Sequence, residues 1–304
     1  MGEIRVGTCS WTDKALVSSG WYPAGRRDAE GRLRYYATRF PVAEVDSTYY
    51  GLPSARNSEL WRDRTPDGFR FDVKAFSLLT GHPTRPAALP PDLRPALAGR
   101  SPDGGTDPGL LDEVWARFSG ALAPLREAGR LGAVLFQFPR RLAPGRPAEA
   151  FLRRSRERAV GWPVAVEFRH PGWWRPDHAA TTAALLTDLD ATAVAVDMAQ
   201  DLPASIPPTV RVTSPRLAVV RFHGRSAHWG TGSKKDRFRH TYTRQELAEW
   251  TPRIRALSHQ AAQVHVLFNN CCATASVHAA QTMRDLLTTE NPEPPPAAAD
   301  VNIA

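Results

Sequence analysis

The sequence has 304 residues, 42% of them hydrophobic and 23% charged, with a formal net charge of +8. That length can bury a large core without staples, and three cysteines, Cys9, Cys271 and Cys272, form no spaced framework of a secreted disulfide scaffold. No apolar run approaches the roughly 20 residues that span a bilayer, and the start MGEIRVGTCSW lacks signal-peptide zoning, so a cytoplasmic protein with no membrane partner is expected.

In chain order, residues 4–11 (IRVGTCSW) form an apolar run ending in polar groups, the pattern of a buried strand. Residues 33–40 then place Leu33, Tyr36, Ala37 and Phe40 on one helical face. A second strand follows at 42–49 and a helix at 55–64, which Thr65-Pro66 stops. After a third strand at 69–76, residues 78–110 are crowded with Pro, Gly and Ala and predict a long loop. The pattern continues with a helix at 113–128, strand 131–138, helix 148–159, strand 164–170, helix 177–189 and strand 192–198. Residues 201–214 hold too much proline for a long helix, so helix 6 is expected to be short or missing. Strand 217–224, helix 244–257, strand 264–270 and helix 275–287 complete the set, and Thr243-Arg244-Gln245-Glu246 reads as a capping box. Residues 290–304, containing PEPPPAAAD, read as a disordered tail.

Strands that alternate with helices are parallel and joined by crossovers, and eight such units close into a barrel. The fold class is therefore α/β, a single (β/α)8 TIM barrel over residues 1–289. An open doubly wound sheet would place a glycine-rich phosphate turn after strand 1, where this chain has Thr8-Cys9-Ser10-Trp11-Thr12.

The segments GTCSW (7–11), YATRFPVAEVDSTYYGLP (36–53), WRDRTPDGFRFDVKAF (61–76), LGAVLFQFP (131–139), VEFRHPGWW (166–174), VRFHGR (220–225) and LFNNCCATASVHAA (267–280) follow one another along nearly the whole chain. Together they resemble the YecE-like family, domain of unknown function 72. The resemblance implies a (β/α) barrel and no established activity. Cys9 stands where members often have serine, and Cys271-Cys272 follow the paired asparagines.

Barrel enzymes work at the C-terminal ends of their strands. There strand 2 offers Glu44 and Asp46, strand 3 Asp72 and Lys74, strand 4 Gln137, strand 5 Glu167 and Arg169, and strand 6 Asp197. Strand 7 offers Arg221, His223 and, just beyond it, Arg225, and strand 8 offers Asn269 or Asn270. Charges in apolar strands are costly unless they are paired or face a cleft. They therefore form either a structural ion-pair network or a polar pocket. In the pocket reading Asp46, Lys74, Glu167 and His223 are the catalytic candidates. Tyr49, Gln137, Arg169, Asp197, Arg221, Arg225, Asn269 and Asn270 are the substrate-binding candidates.

The expected activity is acid/base hydrolysis or elimination on a small anionic substrate, phosphate-containing or nucleotide-derived, with no cofactor. The loop after strand 7, with Gly230, Gly232, Ser233, Lys234, Lys235, Arg237 and Arg239, suits a phosphate. Two alternatives stand beside it. One is a nucleic-acid-binding or accessory protein without turnover. The other is a divalent-metal hydrolase or nuclease using Glu167, Asp197, His223 and Asn269, against which Lys74, Arg169 and Arg221 weigh. Cys9 can also approach Cys271 or Cys272, because strands 1 and 8 adjoin in a closed barrel.

Overall fold

Eight strands pair in parallel, each with the next in sequence, and the last pairs with the first to close a barrel. They are β1 (Glu3–Cys9), β2 (Val42–Val45), β3 (Arg70–Lys74), β4 (Leu131–Phe138), β5 (Val164–Phe168), β6 (Thr192–Asp197), β7 (Leu217–Phe222) and β8 (Gln263–Phe268). This structure, a computed structural model, describes residues 1–98, 106–229, 233–270 and 272–289, without the side chains of Ala98, Lys234 and Lys235. The expected disordered tail, Cys271, Gly230, Gly232 and residues 99–105 of the loop after β3 lie outside the described residues. No helix among them is long and apolar enough to cross a membrane.

The outward faces of the strands pack on helices. Phe136, Phe138, Phe168, Phe222 and Phe268 are all buried there, with Phe168 stacked on Trp173 at a 4.2 Å centroid separation and Phe222 on Phe268 at 4.6 Å. Besides short helices at Lys14–Ser18 and Lys234–Arg237, the helices include α1 (Ala29–Arg39), α2 (Ala55–Asp63), α3 (Pro108–Glu127), α4 (Arg146–Arg158) and α5 (Ala179–Asp188), then α6 (Arg244–Ala248), α7 (Thr251–Ser258) and α8 (Ala275–Thr289). Three short 3-10 turns and a five-residue helix occupy the described part of the stretch after β3. Residues 198–216 run from β6 to β7 without a helix.

Several helix and strand boundaries differ from the sequence reading, for local reasons. Helix α1 starts at Ala29 rather than at 33, because the Asp28 carboxylate accepts from the Glu30 and Gly31 amides. Helix α3 starts at Pro108, capped by Asp107 with proline in the first turn. The helix expected over 244–257 is two helices, since Pro252 has no amide to continue the first and instead opens the second. Strand 2 stops at Val45. Residues Ser47–Tyr49 turn as a 3-10 helix, tied down by Thr48, whose hydroxyl lies 2.6 Å from the Lys74 carbonyl and 3.0 Å from that of Val45.

The barrel interior is not wholly apolar. Deep in it the Asp72 carboxylate meets His265 Nδ1 at 2.9 and 3.0 Å, both residues buried. Gly132 makes room for this pair, because a Cβ there would stand 2.4 Å from Asp72 Oδ1 and 2.7 Å from His265 Cε1.

Candidate functional site

Arg221 lies at the centre of a buried charge layer contributed by β2, β5 and β7. Its Nε donates to Glu44 Oε2 at 2.8 Å and its Nη2 to Glu44 Oε1 at 2.5 Å, while Nη1 donates to Glu167 Oε2. Arg221, Glu44 and Glu167 have side-chain exposures of zero. Burial alone would lower the guanidinium's proton affinity, but the two carboxylates raise it well above its ordinary value, so Arg221 stays cationic.

Glu167 is sealed by four donors, one of them Arg221 on Oε2. Its Oε1 accepts from Gln137 Nε2 at 2.7 Å, from Arg169 Nη1 at 3.0 Å and from His223 Nε2 at 3.1 Å. Burial opposes its ionisation, yet Arg221, His223 and Arg169 together hold it well below the usual carboxylate range. His223 is buried, and that burial pushes it down to about 4 against the pull of Glu167. A neutral imidazole fits its partners: Nε2–H donates to Glu167, and Nδ1, 3.0 Å from Asn269 Nδ2, accepts from the amide.

Above this layer lies a half-buried mouth. Asp46, just past the end of β2, has its Oδ1 3.3 Å from Lys74 Nζ. Burial works to raise the Asp46 pKa, but Lys74 and Arg221 outweigh it and the carboxyl stays ionised. Its neighbour Glu44 is driven the other way. Burial, reinforced by Asp46 and opposed by Arg221 and Lys74, pushes it up to about 8. Lys74 Nζ also sits 4.8 Å from the Tyr49 ring centroid, a cation–π arrangement. Arg169 lies 5.2 Å from the ring of Trp229, which with Phe238 packs over His223. His82, against Tyr49, is pushed down to about 4 by burial and by the cations Lys74, Arg141 and Arg169 around it.

The structure thus groups Asp46, Lys74 and Tyr49 at the mouth and, joined to them through Glu44, links Gln137, Glu167, Arg169, Arg221, His223 and Asn269 in one network. Within it, two of the four residues expected to be catalytic are fully enclosed. Glu167 and His223 have zero side-chain exposure and a hydrogen-bond partner on every polar side-chain atom, so they position Arg169 and Asn269. Arg221, expected to clamp a substrate, spends its donors on Glu44 and Glu167 for the same reason.

Asp197, Arg225 and Asn270, expected among the substrate-binding residues, point elsewhere. Asp197 faces outward from β6, where it accepts from Arg225 Nη2 at 2.8 Å, Tyr242 Oη at 2.6 Å and Trp250 Nε1 at 2.7 Å. Arg225 continues to Glu249 at 2.9 Å. Asn270 donates to the His240 carbonyl at 2.9 Å. These residues clip the segment after β7 to the barrel wall. The same segment explains Gly224, whose φ of +90° and whose 2.9 Å clearance from His240 Cβ to an added Cβ both require glycine.

The sequence reading gave Glu44, Trp229 and His82 no individual role at the site. Spacing signalled the first, since Glu44 and Asp46 lie two apart on one strand. Nothing local distinguishes Trp229 or His82, which reach the mouth from loops.

One group among the described residues offers ligand atoms within 4.8 Å of one another: the Cys9 thiol and the Glu44 and Asp46 carboxyls. Its fit to a divalent metal is poor. Arg221 occupies both Glu44 oxygens, Lys74 adjoins Asp46, and burial and Glu44 raise the Cys9 thiol well above its ordinary value. The other set, Glu167, Asp197, His223 and Asn269, does not converge, because Asp197 turns outward to Tyr242 and Trp250.

Comparison with known proteins places this architecture. The family model described as "Protein of unknown function DUF72" matches residues 5–300. The UPF0759 protein YunF of Bacillus subtilis (strain 168) is 29% identical over 293 residues, which cover 94% of this chain and 95% of that protein. A DUF72 family protein from Enterococcus faecalis V583 has a crystal structure similar to this one at a TM-score of 0.76 and 26% identity, over 95% of this chain and 98% of the other. A DUF72 family protein from Thermotoga maritima MSB8 gives 0.76 and 27%, over 94% and 99%. The chain belongs to the DUF72 family, the YecE-like family its strand-end motifs resemble.

Proposed function

We propose that the mouth of the barrel is the active site of an enzyme that binds a small phosphate-bearing anion on Lys74 and Arg169 and moves a proton through Asp46. The observation that carries this reading is a carboxyl and a cation that reach the mouth together: Asp46 Oδ1 lies 3.3 Å from Lys74 Nζ, and both side chains keep some exposure. Lys74 and Arg221 hold Asp46 ionised although burial opposes it, so it is an acceptor for a substrate proton. Glu44, sealed beneath with both oxygens on Arg221, takes no part in the proton transfer. Asp46 is half-buried and open to the mouth, as a proton-transfer group must be. Arg169 uses Nη1 on Glu167, and among the described residues its Nε and Nη2 carry no hydrogen bond, so they suit an oxyanion. Gln137 and Asn269, half-buried and held by Glu167 and His223, flank the same space. The chemistry that fits is hydrolysis or elimination in which the acidic and basic side chains carry the protons.

The test is calorimetry and thermal shift with inorganic phosphate and a panel of phosphorylated metabolites. Binding is expected in the wild-type protein. It should weaken about tenfold or more in Lys74→Ala and in Arg169→Ala, as loss of a charge-assisted contact requires. Asp46→Asn is expected to bind the same compound but not turn it over. Unchanged phosphate affinity in both cation variants rejects the reading. Among the described residues, the Cys9–Glu44–Asp46 group is the one foothold for a divalent-metal hydrolase. Activity lost to a chelator and restored by Mn²⁺ would establish that alternative instead.

A further inference from the structure

Beside the mouth, the segment after β3 walls an open hollow of about 480 Å³, lined in part by Tyr49, whose ring also meets Lys74. Tyr49, Tyr50, Ser77, Thr84, Arg85 and Ala88 line it. Resting on the anion-binding reading above, we infer that this hollow is a subsite for a planar ring, so that the substrate is a phosphorylated compound of the nucleoside monophosphate class.

Three features support this inference. The first is shape and surface. The Tyr49 and Tyr50 rings meet at 84° with centroids 5.0 Å apart, which gives the hollow an aromatic corner. Tyr50 is 57% exposed, among the few large apolar side chains left open to solvent in the described residues. An aromatic side chain exposed at the edge of a pocket is the kind of surface a base stacks on.

The second is polarity. Ser77 Oγ and Thr84 Oγ1, 2.8 Å apart, also line it; with Thr84 donating to the His82 carbonyl, the pair offers acceptor lone pairs to a sugar hydroxyl or a ring N–H. Arg85 stands exposed on the rim and adds a cation that can cover a π-face or an exocyclic oxygen.

The third is connection. Tyr49 belongs to both spaces: its ring holds the Lys74 ammonium at 4.8 Å and also lines the hollow. An anion bound on Lys74 therefore sits beside a ring that the hollow shares, and the other end of the same ligand has the hollow next to it. The volume falls within the roughly 300–1,000 Å³ of small-molecule sites.

The test uses the intact protein and two probes, adenosine 5′-monophosphate and ribose 5-phosphate, titrated by calorimetry. The nucleotide is expected to bind at least about tenfold tighter, from stacking on one aromatic face. That increment should disappear in Tyr50→Ala and persist in Tyr50→Phe, with ribose 5-phosphate affinity and melting temperature unchanged in both variants. Equal affinity for the two probes in the wild-type protein overturns the subsite and leaves the anion reading standing. So does an increment that survives in Tyr50→Ala. Binding of neither probe, nor of inorganic phosphate, overturns both.

Discussion

Arg221 is the residue on which the interior depends. It binds two carboxyls from two other strands in a site with no water-facing atom. Replacing it with an apolar side chain of similar length, Arg221→Met, strips Glu44 of its guanidinium partner and leaves Glu167 with Arg169 as its one cation. The expected loss is about 3–5 kcal/mol of unfolding free energy, read by urea denaturation at pH 7. A loss below about 1 kcal/mol would mean that the layer relaxes or admits water. Strand parity made much of this layer legible in the sequence, since Glu44 and Asp46, Asp72 and Lys74, Glu167 and Arg169, and Arg221 and His223 each recur at a spacing of two. Parity did not reveal depth. Glu167 looks as available as Asp46 on paper, yet one is sealed and the other open. Nor did it reveal the face of Asp197. The run TAVAVDM is apolar on both sides because both faces of a barrel strand are buried, so alternation gives no sign of inside or outside.

At the scale of elements, the segment that follows β7 is held by the Asp197 clip and by the cap that opens α6. Asp197→Ala strips three donors of a charged acceptor at once. It is expected to cost roughly 3 kcal/mol or more by urea denaturation while phosphate affinity stays within about twofold. A selective loss of affinity with stability unchanged would return Asp197 to the binding site. Thr243 and Glu246 form the reciprocal cap read from the sequence, the Thr243 hydroxyl lying 3.2 Å from the Glu246 amide and the Glu246 carboxylate accepting from the Thr243 amide at 2.8 Å. Thr243→Ala should cost about 1 kcal/mol. The strands were visible because each is a short apolar run, but most of their ends were read one or two residues too long, and that of β2 four too long, where the chain turns at Ser47–Tyr49 as soon as pairing stops. Helix starts were missed where acidic caps precede the apolar face, as at Asp28 and Asp107.

For the whole molecule, the buried groups set a pH profile. Glu44 holds a proton in the folded chain up to about 8, whereas the unfolded chain releases it near 4.5. Stability contributed by that group therefore falls as pH rises between those values. His223 and His82 are pushed down from 6.5 to about 4, so the unfolded chain takes up protons first and stability rises as pH climbs from about 4 to 6.5. Two histidines against one carboxyl give a net rise to about pH 6.5 and a decline from there towards 8. Carboxylates held down in the fold, such as Glu167 and Asp46, lose their contribution only in more acid solution. Urea midpoints at pH 5, 6.5 and 8 check this, and a midpoint that still climbs between 6.5 and 8 would show that Glu44 is not protonated.

The cross-barrel partnership of Arg221 with Glu44 and Glu167 also divides the gene unequally. A fragment ending after β4 would keep Glu44 but forfeit its guanidinium partner, whereas a fragment beginning at β5 would carry Arg221 and Glu167 together. Co-expressed halves are therefore expected to rescue each other asymmetrically. The leading half should wait, unstructured by circular dichroism, for a counter-ion that only its sibling can deliver.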